Sequence, residues 1–130
     1  MDIHGCLGCK YCRNEGNYRC IQRDDMDIVN TELNEAEMVV LASPIYFWSI
    51  TGQLQSVITR FYPKRKPFKA KKYALIMSAE SSMAFDAAVT QYMDIVGYSG
   101  LENMGILRFS GWDQKTEANY KKAYNFGKNL

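Results

Sequence analysis

The chain has 130 residues, 47% of them hydrophobic, and a formal net charge of +2. That is enough apolar material for one buried core, and no apolar run approaches the roughly 20 residues a membrane-spanning helix needs. The near-balanced charge gives no strong drive toward nucleic acid or a membrane surface, so the expectation is one soluble, cytoplasmic domain over 1–130: a cysteine-rich loop over 1–23 and an α/β body over 24–130.

All four cysteines lie in the first twenty residues: Cys6, Cys9, Cys12 and Cys20, spaced C-x2-C-x2-C-x7-C. Three thiols at three-residue steps can point into one small volume, which is how short Cys-x-x-Cys-x-x-Cys runs hold iron–sulfur clusters. Other readings stay open. Two disulfides suit a secreted domain, but Asp2, His4 and Gly5 precede the cysteines and nothing resembles a signal peptide. Structural zinc usually joins two Cys-x-x-Cys pairs across a longer gap, and the second pair is missing. Reduced thiols without metal are the plainest alternative. His4, the lone histidine, is expected as a loop residue rather than a catalyst or metal ligand.

Asp24 and Asp25 are expected to cap a first helix carrying Met26, Val29 and Leu33. Met-Val-Val-Leu-Ala at 38–42 is a continuous apolar run ending at Ser43-Pro44, the pattern of a buried parallel strand. At 51–62, Leu54, Val57, Ile58 and Phe61 repeat at helical spacing. From Arg60 to Lys72 there are seven basic residues (Arg60, Lys64, Arg65, Lys66, Lys69, Lys71, Lys72) and no acid, whereas the remainder carries nine basic against 14 acidic residues. A solvated connection explains such a run; a phosphate or nucleic-acid patch is the alternative, and no nucleic-acid motif supports it.

A second strand is predicted at 73–77 and a weaker third at 104–109. Between them Phe85, Ala88, Val89, Tyr92 and Val96 form a helical stripe over 85–96, with Gly97 and Gly100 as stops. A more polar helix is predicted over 114–128, capped by Asp113. The first two strands start 35 residues apart, near the length of a βαβ unit, so the alternation implies a parallel sheet with right-handed crossovers.

Ligands of open parallel sheets bind beyond the carboxyl ends of the strands. Two loops sit there. Ser43-Pro44-Ile45-Tyr46-Phe47-Trp48-Ser49 offers three aromatics in a row, against which a flat ring can lie. Ser78-Ala79-Glu80-Ser81-Ser82 offers small and polar residues that let backbone amides approach a ligand. Packing between elements or subunits is the plain alternative for the aromatics.

Cys6-Leu7-Gly8-Cys9-x2-Cys12, Cys20, Asp24-Asp25-Met26 and Ala42-Ser43-Pro44-Ile45-Tyr46-Phe47 together closely resemble the flavodoxin-like NAD(P)H-dependent FMN reductase family, above all its iron–sulfur flavoprotein branch. The resemblance is specific from about Cys6 to Arg60 and looser beyond. It implies an α/β fold, a flavodoxin-like three-layer sandwich with a short parallel sheet of about three strands flanked by helices. It implies FMN against Ser43, Pro44, Ile45, Tyr46, Phe47 and Trp48, with Ser78, Ala79 and Glu80 contributing from the next strand. In the iron–sulfur branch, cysteines matching Cys6, Cys9, Cys12 and Cys20 hold a [4Fe–4S] cluster; many other relatives keep similar cysteines without a documented need for one.

The family's opening strand, phosphate-binding loop, helix and second strand have no counterpart ahead of Cys6. The expectation is an N-terminally shortened form whose strand at 38–42 is an exposed apolar edge, and edges pair, so a homodimer is predicted. The implied function is FMN-dependent NAD(P)H oxidation that delivers electrons to a small acceptor, with no catalytic acid–base side chain, no nucleic-acid partner and no membrane partner. The alternatives are a flavin-free iron–sulfur electron-transfer or redox-sensing module, and a non-catalytic remnant of the family.

Overall fold

The computed structural model describes residues 1–63 and 69–130. Lys64, Arg65 and Lys66 of the basic run lie outside the described residues. Lys69, Lys71 and Lys72 are exposed, as a solvated connection requires, whereas Arg60 is buried and is no part of that surface. The chain groups into two compact units, Met1–Val39 with Gly52–Lys71, and Val40–Thr51 with Lys72–Leu130.

The first unit carries α1 (Tyr11–Asn14), α2 (Met26–Glu35) and α3 (Gly52–Thr59). Met26 is its fully buried anchor. Asp25 holds the N-cap position of α2 without a side-chain cap bond, accepting the Asp2 amide at 2.7 Å instead; the carboxylate that meets the helix start is Asp24, whose Oδ1 accepts the Met26 amide at 3.2 Å. α3 stops at Thr59, short of the predicted end at 62, and the chain turns at 60–63.

The second unit is built on a sheet of order β2-β1-β3-β4, formed by β1 (Met38–Tyr46), β2 (Ser49–Ile50), β3 (Lys72–Ala79) and β4 (Glu102–Ser110). β3 and β4 run parallel, from Lys72 opposite Glu102 to Ala79 opposite Ser110. The predicted all-parallel sheet is therefore a mixed one, because β2 returns antiparallel to β1. β3 is buried almost throughout, as its apolar run requires. β1 differs: Leu41, Ser43 and Ile45 are buried while Val40, Ala42, Pro44 and Tyr46 are exposed, so the continuous apolar run behaves as a half-buried strand. β2 pairs only Ile45 and Tyr46, and among the described residues no strand flanks the rest of that side of β1.

α4 (Asp86–Ser99) buries Ala88, Tyr92, Val96 and Ser99 on one stripe. Gly97 lies inside it. Gly100 is the stop: it adopts φ 62° and its amide reaches the Gly97 and Val96 carbonyls. Tyr92 Oη sits 2.8 Å from the Tyr73 carbonyl and 2.9 Å from Asn103 Oδ1, and burial pushes its pKa up to about 12. α5 (Glu117–Lys128) is capped by Thr116, which accepts the Asn119 amide; the expected cap Asp113 accepts from Lys115 instead. At Gly105, φ is 125° and a Cβ would stand 3.0 Å from the Phe126 ring, so glycine is what lets α5 seat on β4. No helix among the described residues is long and apolar enough to cross a membrane.

Candidate functional site

The aromatic loop is a hairpin. Tyr46 pairs with Ser49 and Ile45 with Ile50, leaving Phe47 and Trp48 as a two-residue turn with φ of 49° and 63°. Such turns need positive φ at both central residues and ordinarily take Asn-Gly. For two aromatic L-residues the conformation costs roughly 1–2 kcal/mol each, and strain of this kind gathers at functional sites. Ser43 offsets part of it: its buried hydroxyl accepts the Thr51 amide at 3.0 Å and donates to the Pro44 carbonyl at 2.7 Å, stapling the two ends of the hairpin. The result holds Tyr46, Phe47 and Trp48 at 68%, 92% and 55% exposure, with the last two rings edge to face at 5.3 Å.

A groove of about 590 Å³ opens beside this turn, lined by Pro44, Ile45, Tyr46, Phe47 and Trp48 on one side and by Ser78, Ala79, Glu80 and Ser81 on the other, with Ala84 and Gln114. Eight of the nine residues expected around a flavin line it. Ser43 does not; it acts from behind the turn. Gln114, expected only as the start of a helix, donates to the Ala79 and Gly111 carbonyls at 2.9 and 3.0 Å and closes one end. Among the described residues the lining contains no Lys, Arg or His, and Glu80 is its one carboxylate. Its size suits a small molecule, and its character suits a flat, largely uncharged ring.

In the first unit the four cysteines, all free, line one narrow cavity with Leu7, Ile21, Tyr62 and Arg60. Gly8 and Lys10 at φ 67° and 60° bend the loop around it, and Thr59 Oγ1 accepts the Cys6 amide at 3.1 Å. Gly8 N stands 3.4 Å from Cys6 Sγ and Gln22 Nε2 3.9 Å from Cys20 Sγ, long donor contacts to sulfur. Cys12 is buried, and that burial, reinforced by Cys20 and Cys6, raises its pKa against the opposing Arg13. Among the described residues no group of three or more His, Cys, Asp or Glu is placed to hold a metal ion. A tetrahedral zinc, at 2.3 Å from each sulfur, draws four thiolates to about 3.8 Å from one another; a cubane spreads its four thiolates over separate corners. The cavity lined by the four cysteines is about 10 Å³, so a cluster requires the exposed Cys6 and Cys9 to move outward.

Sequence reading missed the brace beneath this cavity. Arg60 donates to Asp24 Oδ2 at 2.6 Å, to Asp24 Oδ1 at 3.1 Å and to the His4 carbonyl at 3.0 Å. Asp24 also accepts the His4 and Met26 amides. Both side chains are at most 4% exposed. Burial works to raise the Asp24 carboxyl, but the Arg60 hydrogen bonds and the two backbone donors outweigh it and hold the pKa below the ordinary value. Arg60 is likewise raised: burial disfavours its charge, and the bonds to Asp24 and the nearby sulfurs of Cys20 and Cys6 restore it. Arg60 Nε is buried with no acceptor among the described residues. His4 is the loop residue expected, with Nδ1 3.8 Å from Asp24. The 36-residue separation of Asp24 and Arg60 hides the pair from any local pattern.

A sequence model of NADPH-dependent FMN reductase matches residues 1–110. An iron–sulfur flavoprotein of Archaeoglobus fulgidus is 34% identical over 97 residues, covering 74% of this chain and 40% of that protein. An iron–sulfur flavoprotein of Methanocaldococcus jannaschii is 33% identical over 70 residues, covering 54% and 35%. The matched stretches thus span well under half of those relatives' own length. The solved structure of the Trp repressor binding protein from Bacillus subtilis superposes with a TM-score of 0.66 at 16% identity, over 93% of this chain and 85% of that one, which gives the flavodoxin-like α/β fold. With the match running from the cysteine loop through β4, the chain belongs to the NADPH-dependent FMN reductase family.

Proposed function

We propose that this chain is a flavin-dependent oxidoreductase that binds FMN in the groove beside the 47–48 turn, takes reducing equivalents from NAD(P)H and passes them to a small acceptor. The observation that carries this reading is the strained aromatic turn, held open by Ser43 against the Ser78–Ala79–Glu80 loop. A bound flavin supplies hydride acceptance and onward electron transfer; the residues here supply its setting. Tyr46, Phe47 and Trp48 offer ring faces and edges to the isoalloxazine, and Ser78 and Ser81 offer polar contacts. Among the described residues no Lys, Arg or His lines the groove, and its aromatic character fits the ring system. No acid–base side chain is required.

In the same reading, Cys6, Cys9, Cys12 and Cys20 would hold a [4Fe–4S] cluster, which would supply one-electron chemistry, residues 1–130 act as one cytoplasmic domain, and two copies associate through the unflanked side of β1. A flavin-free iron–sulfur module is the second reading, favoured by four thiols on one cavity. Two assays separate them. FMN-loaded protein is expected to lose its flavin colour under anaerobic NADPH or NADH; retained colour with both contradicts the oxidoreductase reading. Anaerobically reconstituted protein is expected to carry iron and sulfide in equal amounts, lost in Cys9→Ala. Iron without FMN binding favours the module; no iron in the wild type rules out the cluster.

A further inference from the structure

A second cavity, of about 460 Å³, lies in the first unit and shares Cys20 and Arg60 with the cysteine cavity. Asn17, Tyr18, Arg19, Arg23, Asn30 and Arg60 are among its lining residues. We propose that it binds a phosphate-bearing anion through Arg19 and Arg23, with the Arg60 Nε–H, which has no acceptor among the described residues, as a further donor.

Four observations converge on it. Asn17 and Tyr18 are consecutive non-glycine residues at φ 45° and 65°. Asparagine tolerates that conformation, but tyrosine resists it, so the surrounding structure holds it: Tyr18 N bonds the Cys12 carbonyl and Arg19 N the Gly16 carbonyl, both at 2.8 Å. Gly16 is required there, since a Cβ would fall 2.4 Å from the Arg19 carbonyl oxygen. The contortion presents Tyr18 and Arg19 together at the cavity.

Arg19 and Arg23 are exposed, and among the described residues neither guanidinium has an ion-pair or hydrogen-bonding partner. Arg60 is 5% exposed and, among the described residues, keeps a buried Nε–H without an acceptor, an unsatisfied donor of the kind native interiors rarely leave. Finally, the first turn of the ten-residue α2 borders the cavity through Met26 and Asp27, and a helix N-terminus favours negative charge, part of which the Asp24 carboxylate on the Met26 amide already supplies. Asp27 is the one carboxylate in the lining, so the two free arginines leave the mouth net positive.

Guanidinium forks match phosphate oxygens two at a time. The volume exceeds what a free phosphate fills and lies in the range of small-ligand sites. Tyr18, 60% exposed, stands where the flat part of a nucleotide can stack. The shared chemistry is the phosphate group, free or at the end of a nucleotide.

The test is calorimetric titration of the full chain with inorganic phosphate and, separately, with adenosine 2′,5′-bisphosphate, for wild type and for Arg19→Ser/Arg23→Ser. Wild type is expected to bind at least one of them saturably. Binding should weaken about tenfold or more in the double variant, the loss of one charge-assisted contact or more, and should weaken with added salt. Tighter binding of the nucleotide identifies it as the source of the phosphate; equal binding identifies the free anion. No heat with either ligand overturns the proposal, as does binding unchanged in a folded double variant. If the double variant does not fold, amide shifts of wild type decide: ligand-induced shifts at Arg19, Arg23 and Asn30 support the site, and their absence overturns it. FMN affinity of the double variant is expected to be unchanged, so this result is independent of the flavin reading.

Discussion

Asp24→Asn is expected to destabilise the folded chain by about 3–5 kcal/mol, the usual cost of removing one partner from a buried ion pair. The substitution keeps shape but leaves the Arg60 guanidinium, 3% exposed at the side chain, without a counter-charge. It also weakens the acceptor for the His4 and Met26 amides, so the segment ahead of the cysteines and the start of α2 loosen together. A loss this large is a sizeable part of the 5–15 kcal/mol that holds a typical domain. Urea unfolding measures it. Replacing both partners, Asp24→Leu with Arg60→Met, is expected to recover most of the loss, because two buried charges are costly to desolvate.

The same pair sets an acid limit. The Asp24 pKa is lowered on folding, so its contribution is present above the ordinary carboxylate value of about 4 and fades as pH falls through the lower folded value. Wild type should lose stability below about pH 4, and Asp24→Asn should lose less over that interval. Equal slopes for the two proteins would place the acid sensitivity elsewhere.

Phe47→Asn with Trp48→Gly is expected to act in opposite directions on stability and binding. Both residues sit at positive φ, which asparagine tolerates and glycine adopts freely. The double variant should therefore be more stable by about 1–3 kcal/mol, since the two rings are mostly exposed and little burial is given up. FMN affinity should fall by about tenfold or more, from the loss of two aromatic contacts of about 1 kcal/mol each. A gain in one property against the other is the signature of a turn kept strained for a ligand. Falling stability with unchanged FMN affinity would mean that the rings serve packing alone.

How much of this was legible in the sequence depends on range. The alternation of strands and helices and the three long strands follow from local apolar patterns, and the structure has them; the two expected loops are partly strand, Ser43–Tyr46 in β1 and Ser78–Ala79 in β3. β1 runs four residues past its predicted end because Ser43-Pro44 reads as a stop; the missing proline donor is tolerated where the strand has an unpaired side. β2 was invisible: Phe-Trp is the opposite of the Asn-Gly that signals a two-residue hairpin, and two residues make no pattern. Gly97 sits inside α4 because its neighbours bury a continuous stripe, and Asp113 yields to Thr116 because α5 begins later than its polarity suggested. The Asp24–Arg60 brace and the basic cavity depend on contacts between distant segments, which no spacing rule reaches. Of the residues that the family resemblance names around a flavin, Pro44–Trp48 and Ser78–Glu80 line the groove, whereas the Ser43 hydroxyl bonds the Thr51 amide and the Pro44 carbonyl.

Titration of FMN into the wild-type protein, followed by tryptophan fluorescence, tests the central claim most directly. The chain has two tryptophans, of which Trp48 lines the groove and Trp112 is 87% exposed. The account predicts saturable quenching with one flavin per chain, largely removed in Trp48→Phe. Folded wild-type protein whose fluorescence does not respond to FMN would contradict it.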